Sequence, residues 1–390
     1  MIVGLTGAAI SVAALPFSSV RLTKGKILLA AALLGLHMAG CVGYYLYVQD
    51  ASADTALYYF FTRYAQQDFA VGTVFVAKLT QYLRFQLGGS YFECFVFFQS
   101  LGFWGVILLM RSFQEIQQKI GASEMLLPTY LLFLPSIHFW TSAIGKDAPL
   151  FLAVSLCVWS ALNWRKRLVP FALALVIMVL FRAHIALIAV LAVAVAAFLQ
   201  PGFSIGRKAA LMGLTVVGGL LLAESVEQTT SVDVTSASSF ASFADRQSHI
   251  AESVTGTTSI GNAPLVVRFF SLLFRPLFFD AGGAAGLISS LENVGSILLF
   301  VYLARNWRSI RALARQVFFL QFCIAFSAIL IVLLSFVYYN VGLGLRERVM
   351  VFPPLLCVFV ASWAMPRVPA RVRSRFAPAH AASTIAGTRG

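Results

Sequence analysis

Of 390 residues, 59% are hydrophobic and 11% charged, with a mean hydropathy of +0.85, so the chain has too few polar groups to cover a soluble surface and reads as an integral membrane protein. A soluble enzyme and a nucleic-acid-binding module are thereby excluded. The net charge of +14 reports topology instead, because the basic residues stand in short clusters between apolar runs.

Residues 1 to 20 lack a basic region ahead of their apolar stretch, and Arg21, Lys24 and Lys26 follow it, which makes this segment a weak first span or an interfacial helix rather than a cleaved signal. A bilayer core about 30 Å thick needs about 20 apolar helical residues. On that basis Ile27–Val48, Tyr91–Met110, Met125–Ala143, Ala148–Trp164, Ala281–Ala304, Val317–Tyr338 and Val349–Ala364 are expected spans, and Ala209–Ala223 is another. Leu168–Leu199 would extend about 48 Å as one helix and carries Arg182 and His184 in its middle. It is expected to be two short helices meeting at Phe181-Arg182-Ala183-His184. The fold class is therefore an all-α polytopic bundle of about ten or eleven spans within residues 1–366, followed by a basic, disordered cytoplasmic tail at 367–390.

Charge tests the layout. With 21–26, 111–124, 165–167, 207–208, 305–315 and the C-terminal tail taken as cytoplasmic, the inside carries +17 and the rest of the chain −3. A single span at 168–199 would invert every later segment and put the arginines of 305–315 outside. Two segments then face the exterior, 49–90 and 224–280. The first holds Asp50, Asp54, a run of aromatic residues and the amphipathic stretch Val71–Leu87. The second contains Glu224–Pro264, rich in Ser and Thr and expected to be a mobile loop.

Ionisable groups in or beside spans are costly and mark candidate sites, and here they gather on the exterior side. In Trp140-Thr141-Ser142-Ala143-Ile144-Gly145-Lys146-Asp147, Asp147 complements a helix dipole, or Lys146 and free amides hold an anion beside Trp140 as a platform for a sugar or lipid headgroup. Arg182 either snorkels or binds a diphosphate with its planar fork of donors, and His184 offers acid–base help. Arg275, in Phe274-Arg275-Pro276, stands at headgroup level, while Glu292 pairs inside the bundle or takes part in chemistry. Arg346 and Arg348 bracket Glu347, so that one is neutralised and the other faces a cavity. The five cysteines (Cys41, Cys94, Cys157, Cys323, Cys357) show no metal spacing and read as packing residues; no metal or cofactor is expected.

These motifs, Trp140-Thr141-Ser142 to Gly145-Lys146-Asp147, Phe181-Arg182-Ala183-His184, Phe274-Arg275-Pro276 with Leu291-Glu292-Asn293, and Arg346-Glu347-Arg348, resemble bacterial polysaccharide polymerases of the Wzy and EpsG-like kind, and more loosely the GT-C membrane glycosyltransferases. The resemblance implies an inner-membrane, multi-pass enzyme that joins undecaprenyl-diphosphate-linked oligosaccharide repeat units of an O-antigen or exopolysaccharide at the periplasmic face. It implies chain-length regulator and flippase proteins as partners, and no nucleic acid. Arg182, Arg275 and Arg346 or Arg348 would stabilise the departing diphosphate, Lys146, Asp147, Trp140 and Glu292 would help bind substrate, and His184 or Asp54 would be the base. A transporter or flippase for an anionic or lipid-linked saccharide is the competing expectation.

Overall fold

The structure, a computed structural model, describes residues 1–19, 23–50, 53–122, 125–200, 204–230, 263–337 and 340–365. Residues 231–262, within the Ser/Thr-rich segment expected to be an exterior loop, and residues 366–390, which hold the expected cytoplasmic tail, lie outside the described residues. Helices run between two ends of one bundle. Helix α1 (Ile2–Ala14) starts where the Met1 ammonium meets Glu93 at 2.5 Å and leads through a 3₁₀ turn to the opposite end, where the carbonyls of Phe17, Ser18 and Ser19 accept hydrogen bonds from Arg111 and Gln114. α2 (Lys24–Asp50) returns, and α3 (Asp54–Phe60) with α4 (Thr73–Phe85) forms a short pair across the first end.

α5 (Tyr91–Ile120) descends unbroken, outrunning the expected Tyr91–Met110. Its start is a capping box, with Ser90 Oγ accepting from Glu93 N and Glu93 Oε2 from Ser90 N, and it stops at Gly121 in the left-handed region (φ 74°). The expected span Met125–Ala143 is not one helix. Pro128 and Pro135 each lack a backbone donor, and the segment climbs in pieces: α6 (Leu126–Tyr130), a 3₁₀ turn over Leu131–Phe133, and α7 (Pro135–Trp140). α8 (Asp147–Ala161) descends again.

α9 (Leu168–Leu199) is folded back on itself at Arg182, whose backbone is extended (φ −154°, ψ 91°). Its neighbours show this. Leu199 O accepts from Gln321 Nε2 and the Phe171 ring lies 6.3 Å from that of Phe322, so residues that would stand about 42 Å apart on a straight helix reach adjacent positions of one partner. The second arm then pairs with α10 (Ile205–Thr230), with Gly218 facing Val190 and Gly219 facing Leu187.

After residue 262, α11 (Leu265–Phe274) lies at the first end, α12 (Gly283–Arg305) descends, and α13 (Trp307–Ala314) turns its Ile310, Leu313 and Ala314 inward and its arginines outward. α14 (Phe318–Val337) ascends, α15 (Val341–Arg348) is short, and α16 (Phe352–Ala364) ends the described chain. No strand occurs among the described residues. Among the described residues five helices, α2, α5, α9, α12 and α14, are long and apolar enough to cross a membrane.

α5 is the axis of the packing. In its apolar stretch 72% of residues are buried, against 28% for α2 and for α12, which leave most of their surface outward. Because lipid offers no hydrophobic drive between helices, close approach matters more than apolar area. Gly40 and Gly102 permit it: a Cβ on Gly40 would overlap the His138 carbonyl, and one on Gly102 the Thr141 carbonyl oxygen. α2, α5 and the chain from α7 into α8 thus meet backbone to backbone, which fixes the height of the turn carrying Lys146 and Asp147.

Candidate functional site

The break in α9 is what brings the site together. With Arg182 extended, the Leu180 carbonyl is free of the helix and accepts from Gly72 N at 2.8 Å, joining α9 to the start of α4. Gly72 itself sits at φ 79°, a conformation a side chain would strain. Across from it, Asn340 caps α15 by accepting from Leu343 N at 2.7 Å, so Arg346 and Glu347 project from the last turn. Gly145, at φ 153°, lets the turn before α8 pass close to Arg346, whose Nη2 would lie 3.8 Å from a Cβ there.

Six ionisable groups converge. Asp147 is buried and both of its oxygens are taken: Oδ1 by Arg182 Nη2 at 3.3 Å, Oδ2 by Arg346 Nε. Arg182 Nη1 also donates to Glu347 Oε2, and Arg346 Nη1 donates to Asp54 Oδ2 at 3.1 Å. Three carboxylates therefore face two guanidiniums and the Lys146 ammonium. Lys146 differs from the arginines in its partner, a neutral hydroxyl: its Nζ donates to Thr73 Oγ1 at 2.9 Å. Burial, with the nearby Arg182 charge adding to it, pulls the Lys146 ammonium down to about 8. Burial likewise raises the Tyr58 phenol above its ordinary value, keeping it a neutral donor.

A cavity of about 250 Å³ opens against these groups, lined by Asp54, Leu57, Tyr58, Tyr64, Thr73, Lys146, Arg182, Leu343 and Arg346. It can hold an anion of phosphate or diphosphate size against two guanidiniums and an ammonium. Asp54 is the one carboxylate at its mouth, with a side chain 52% exposed. Among the described residues no group of three or more His, Cys, Asp or Glu side chains is placed to hold a metal ion.

Of the residues singled out in the sequence, Asp54, Lys146, Asp147, Arg182 and Arg346 meet here, and five others do not line the cavity. His184 sits two residues past the break with its Nδ1 buried and without a hydrogen-bond partner. Trp140 packs edge-on against Tyr44 at 5.8 Å and Phe139 at 5.1 Å. Arg275 donates from Nε to Asp280 Oδ2 at 2.5 Å, and Asp280 also caps the Leu277 amide, so the two close a local turn. Glu292 accepts from the Ser136 amide and hydroxyl, capping α7. Arg348, 1% exposed, donates to the Leu273 carbonyl at 2.7 Å and stands 4.0 Å from Glu292. Of the pair bracketing Glu347, Arg346 faces the cavity and Arg348 the core, while Glu347 neutralises neither of them and goes to Arg182. Sequence reasoning passed over Tyr64 and Thr73. Nothing in a neutral threonine ahead of an amphipathic helix marks it as the partner of a lysine 73 residues later.

Comparison with family models, with curated proteins and with solved structures finds no match for this chain.

Proposed function

We propose that the protein is a membrane glycosyltransferase that extends a polysaccharide from polyprenyl-diphosphate-linked oligosaccharide at the exterior face of a bacterial inner membrane. The observation that carries this reading is the cavity holding Arg182, Arg346 and Lys146 as an anion cradle with Asp54 at its mouth. Taken as spans, the segments running end to end make eleven passes, the first within residues 1–20, with the cavity on the side opposite the basic turns 165–167 and 305–315. An acceptor hydroxyl attacks the anomeric carbon, the glycosidic oxygen departs with the diphosphate, and the cations meet the charge that develops there, in a site of low dielectric.

Asp54 is the base in this reading, because it is the exposed carboxylate, and Asp147 cannot be, since both its oxygens are committed to guanidiniums. Asp147 and Glu347 are positioning residues for the two arginines. His184, Arg275, Glu292 and Arg348 fall away from the chemistry. A carrier for an anionic or lipid-linked saccharide remains the second reading, favoured by one observation: the broken helix at Arg182, a device transporters use to expose polar backbone to a solute.

Purified protein in lipid vesicles, given polyprenyl-diphosphate oligosaccharide, should lengthen the saccharide, and Asp54→Asn and Arg346→Ala should abolish growth while remaining folded. Vesicles that move the lipid-linked saccharide between leaflets without lengthening it would establish the carrier instead. Sidedness is checked separately by phosphatase fusions, active after Ser239 and inactive after Arg373.

A further inference from the structure

A second polar centre lies in the interior, away from the cavity. His37 of α2 and His138 of α7 are 0% and 1% exposed, with ring centroids 5.3 Å apart at 73° and Nδ1 facing Nδ1 at 3.1 Å. Such a contact needs one N–H and one lone pair. The surroundings decide which ring carries which. His138 Nε2 lies 2.8 Å from the Leu132 carbonyl oxygen, which can only accept, so that nitrogen holds a hydrogen. In a neutral ring its Nδ1 is then bare, and His37 Nδ1–H donates to it.

That assignment leaves His37 Nε2 as a lone pair. It is buried and has no hydrogen-bond partner, and the groups that face it are the carbonyl oxygens of Gln99 and Thr141, both acceptors. Nε2 shares with the Thr141 oxygen the space left by Gly102, where a Cβ would stand 3.0 Å from the nitrogen. The four ring nitrogens thus meet three carbonyls and each other. A complete network takes three hydrogens, on His138 Nε2, between the two Nδ1 atoms and on His37 Nε2. Two neutral imidazoles carry two. The pair is one proton short of a complete network.

We infer that His37 and His138 form a buried proton-binding site that takes up a single proton, held as an imidazolium on His37 with Nδ1–H directed to His138 and Nε2–H to the carbonyls of Gln99 and Thr141. The proton comes from solvent, and no other bond is made or broken. Glu292 places a charged group beside the pair, its carboxylate accepting from the amide and hydroxyl of Ser136, two residues before His138, and the other neighbours on α2, α5 and α7 carry no charge. From α2 these are Cys41, one turn on, and Tyr44, two turns on with its ring tilted at 43° to that of Phe139; from α5 they are Gln99, Ser100 and Phe103, the last 6.0 Å from His37 ring to ring. From α7 the neighbour is Ser136. Occupancy ties α2 and α5 to Thr141, the first residue of the turn that ends at Lys146. The inference rests on ring geometry alone and holds whatever the cavity binds.

Nitrogen-15 spectra of the full chain in lipid nanodiscs, labelled at its five histidines, read this directly. His37→Gln and His138→Gln assign the signals. As pH falls, His37 should pass from one N–H to two while His138 keeps one N–H and one hydrogen-bonded bare nitrogen, in a single one-proton transition. In His37→Gln the amide supplies the missing donor without charge, and His138 should stay neutral over the same range. Two independent titrations, or rings that each keep a bare nitrogen down to the pH of unfolding, would overturn the inference. So would a His138 that takes up a proton in His37→Gln over the range in which the wild-type pair titrates. Where the variant does not fold, the wild-type spectrum alone decides.

Discussion

The bundle has an ion cluster at each end, and they differ in what borders them: Lys146, Arg182, Arg346 and Asp54 line a cavity of about 250 Å³, whereas the smaller cavities near the other end, of about 150 and 50 Å³, are not lined by Arg111, Glu115 or Arg167. At the basic end Glu115 accepts from Arg111 Nε at 3.2 Å, Arg167 Nη2 at 3.0 Å and Trp159 Nε1 at 3.0 Å. Both arginines spend further donors on carbonyls, Arg111 on Phe17 and Ser19, Arg167 on Trp159, and lie over the Phe17 and Trp159 rings at 4.4 and 3.8 Å. At the other end Asp147, Arg182, Arg346 and Glu347 are knit as tightly, yet Lys146 and the exposed carboxylate of Asp54 border about 250 Å³ of space. Charge buried in a membrane bundle is thus no sign of chemistry by itself. What separates a fastener from a site is a group with donors or lone pairs left over, next to volume a ligand can fill.

The comparison breaks first at its most tightly held members. Asp147→Ala leaves two guanidiniums without their shared carboxylate and should cost about 3–5 kcal/mol in unfolding, with loss of chain growth. Glu115→Ala should cost a similar amount and leave growth per folded molecule unchanged; loss of growth at matched folded protein would erase the distinction between the ends. Lys146→Met should do the reverse, altering stability by less than about 1 kcal/mol, since no carboxylate is orphaned, while pyrophosphate affinity measured by calorimetry falls about 10- to 100-fold.

The same calorimetry sharpens the point through pH. Lys146 is cationic below about 8 and loses its proton above, so pyrophosphate binding should be full on the acid side and weaken as pH rises through that value. The guanidiniums do not titrate there, so Lys146→Arg should flatten the profile; an unchanged fall in that variant would assign it to another group. Smallest of all is Arg305→Ala, on an exposed position of the basic end, which should shift unfolding by no more than about 0.5 kcal/mol and leave growth intact.

Why the cavity was only partly legible follows from helix geometry. Arg346, Glu347 and Arg348 are consecutive, and at roughly 100° per residue their side chains diverge, so at most one or two can face any one cavity. The triplet says that something is neutralised. Which arginine goes inward depends on where Glu292 and the Leu273 carbonyl stand, more than fifty residues away. Arg275 misleads for a different reason: its partner Asp280 is five residues on, and a closed local turn reads in sequence like an exposed basic group at headgroup level.

The sequence by itself determined the class of the molecule and the bend in α9. Composition leaves no soluble alternative, and 32 apolar residues with an arginine at their centre are too long for one crossing at 1.5 Å per residue. These properties are additive along the chain, so they survive without knowledge of neighbours. Only the tertiary structure decided that Thr73 answers Lys146, that Asp147 serves two arginines, and that His37 meets His138 across 101 residues. Pairing between side chains on different helices depends on the rotation and height of each helix, and those are settled by close contacts such as Gly40 and Gly102, which no local pattern records.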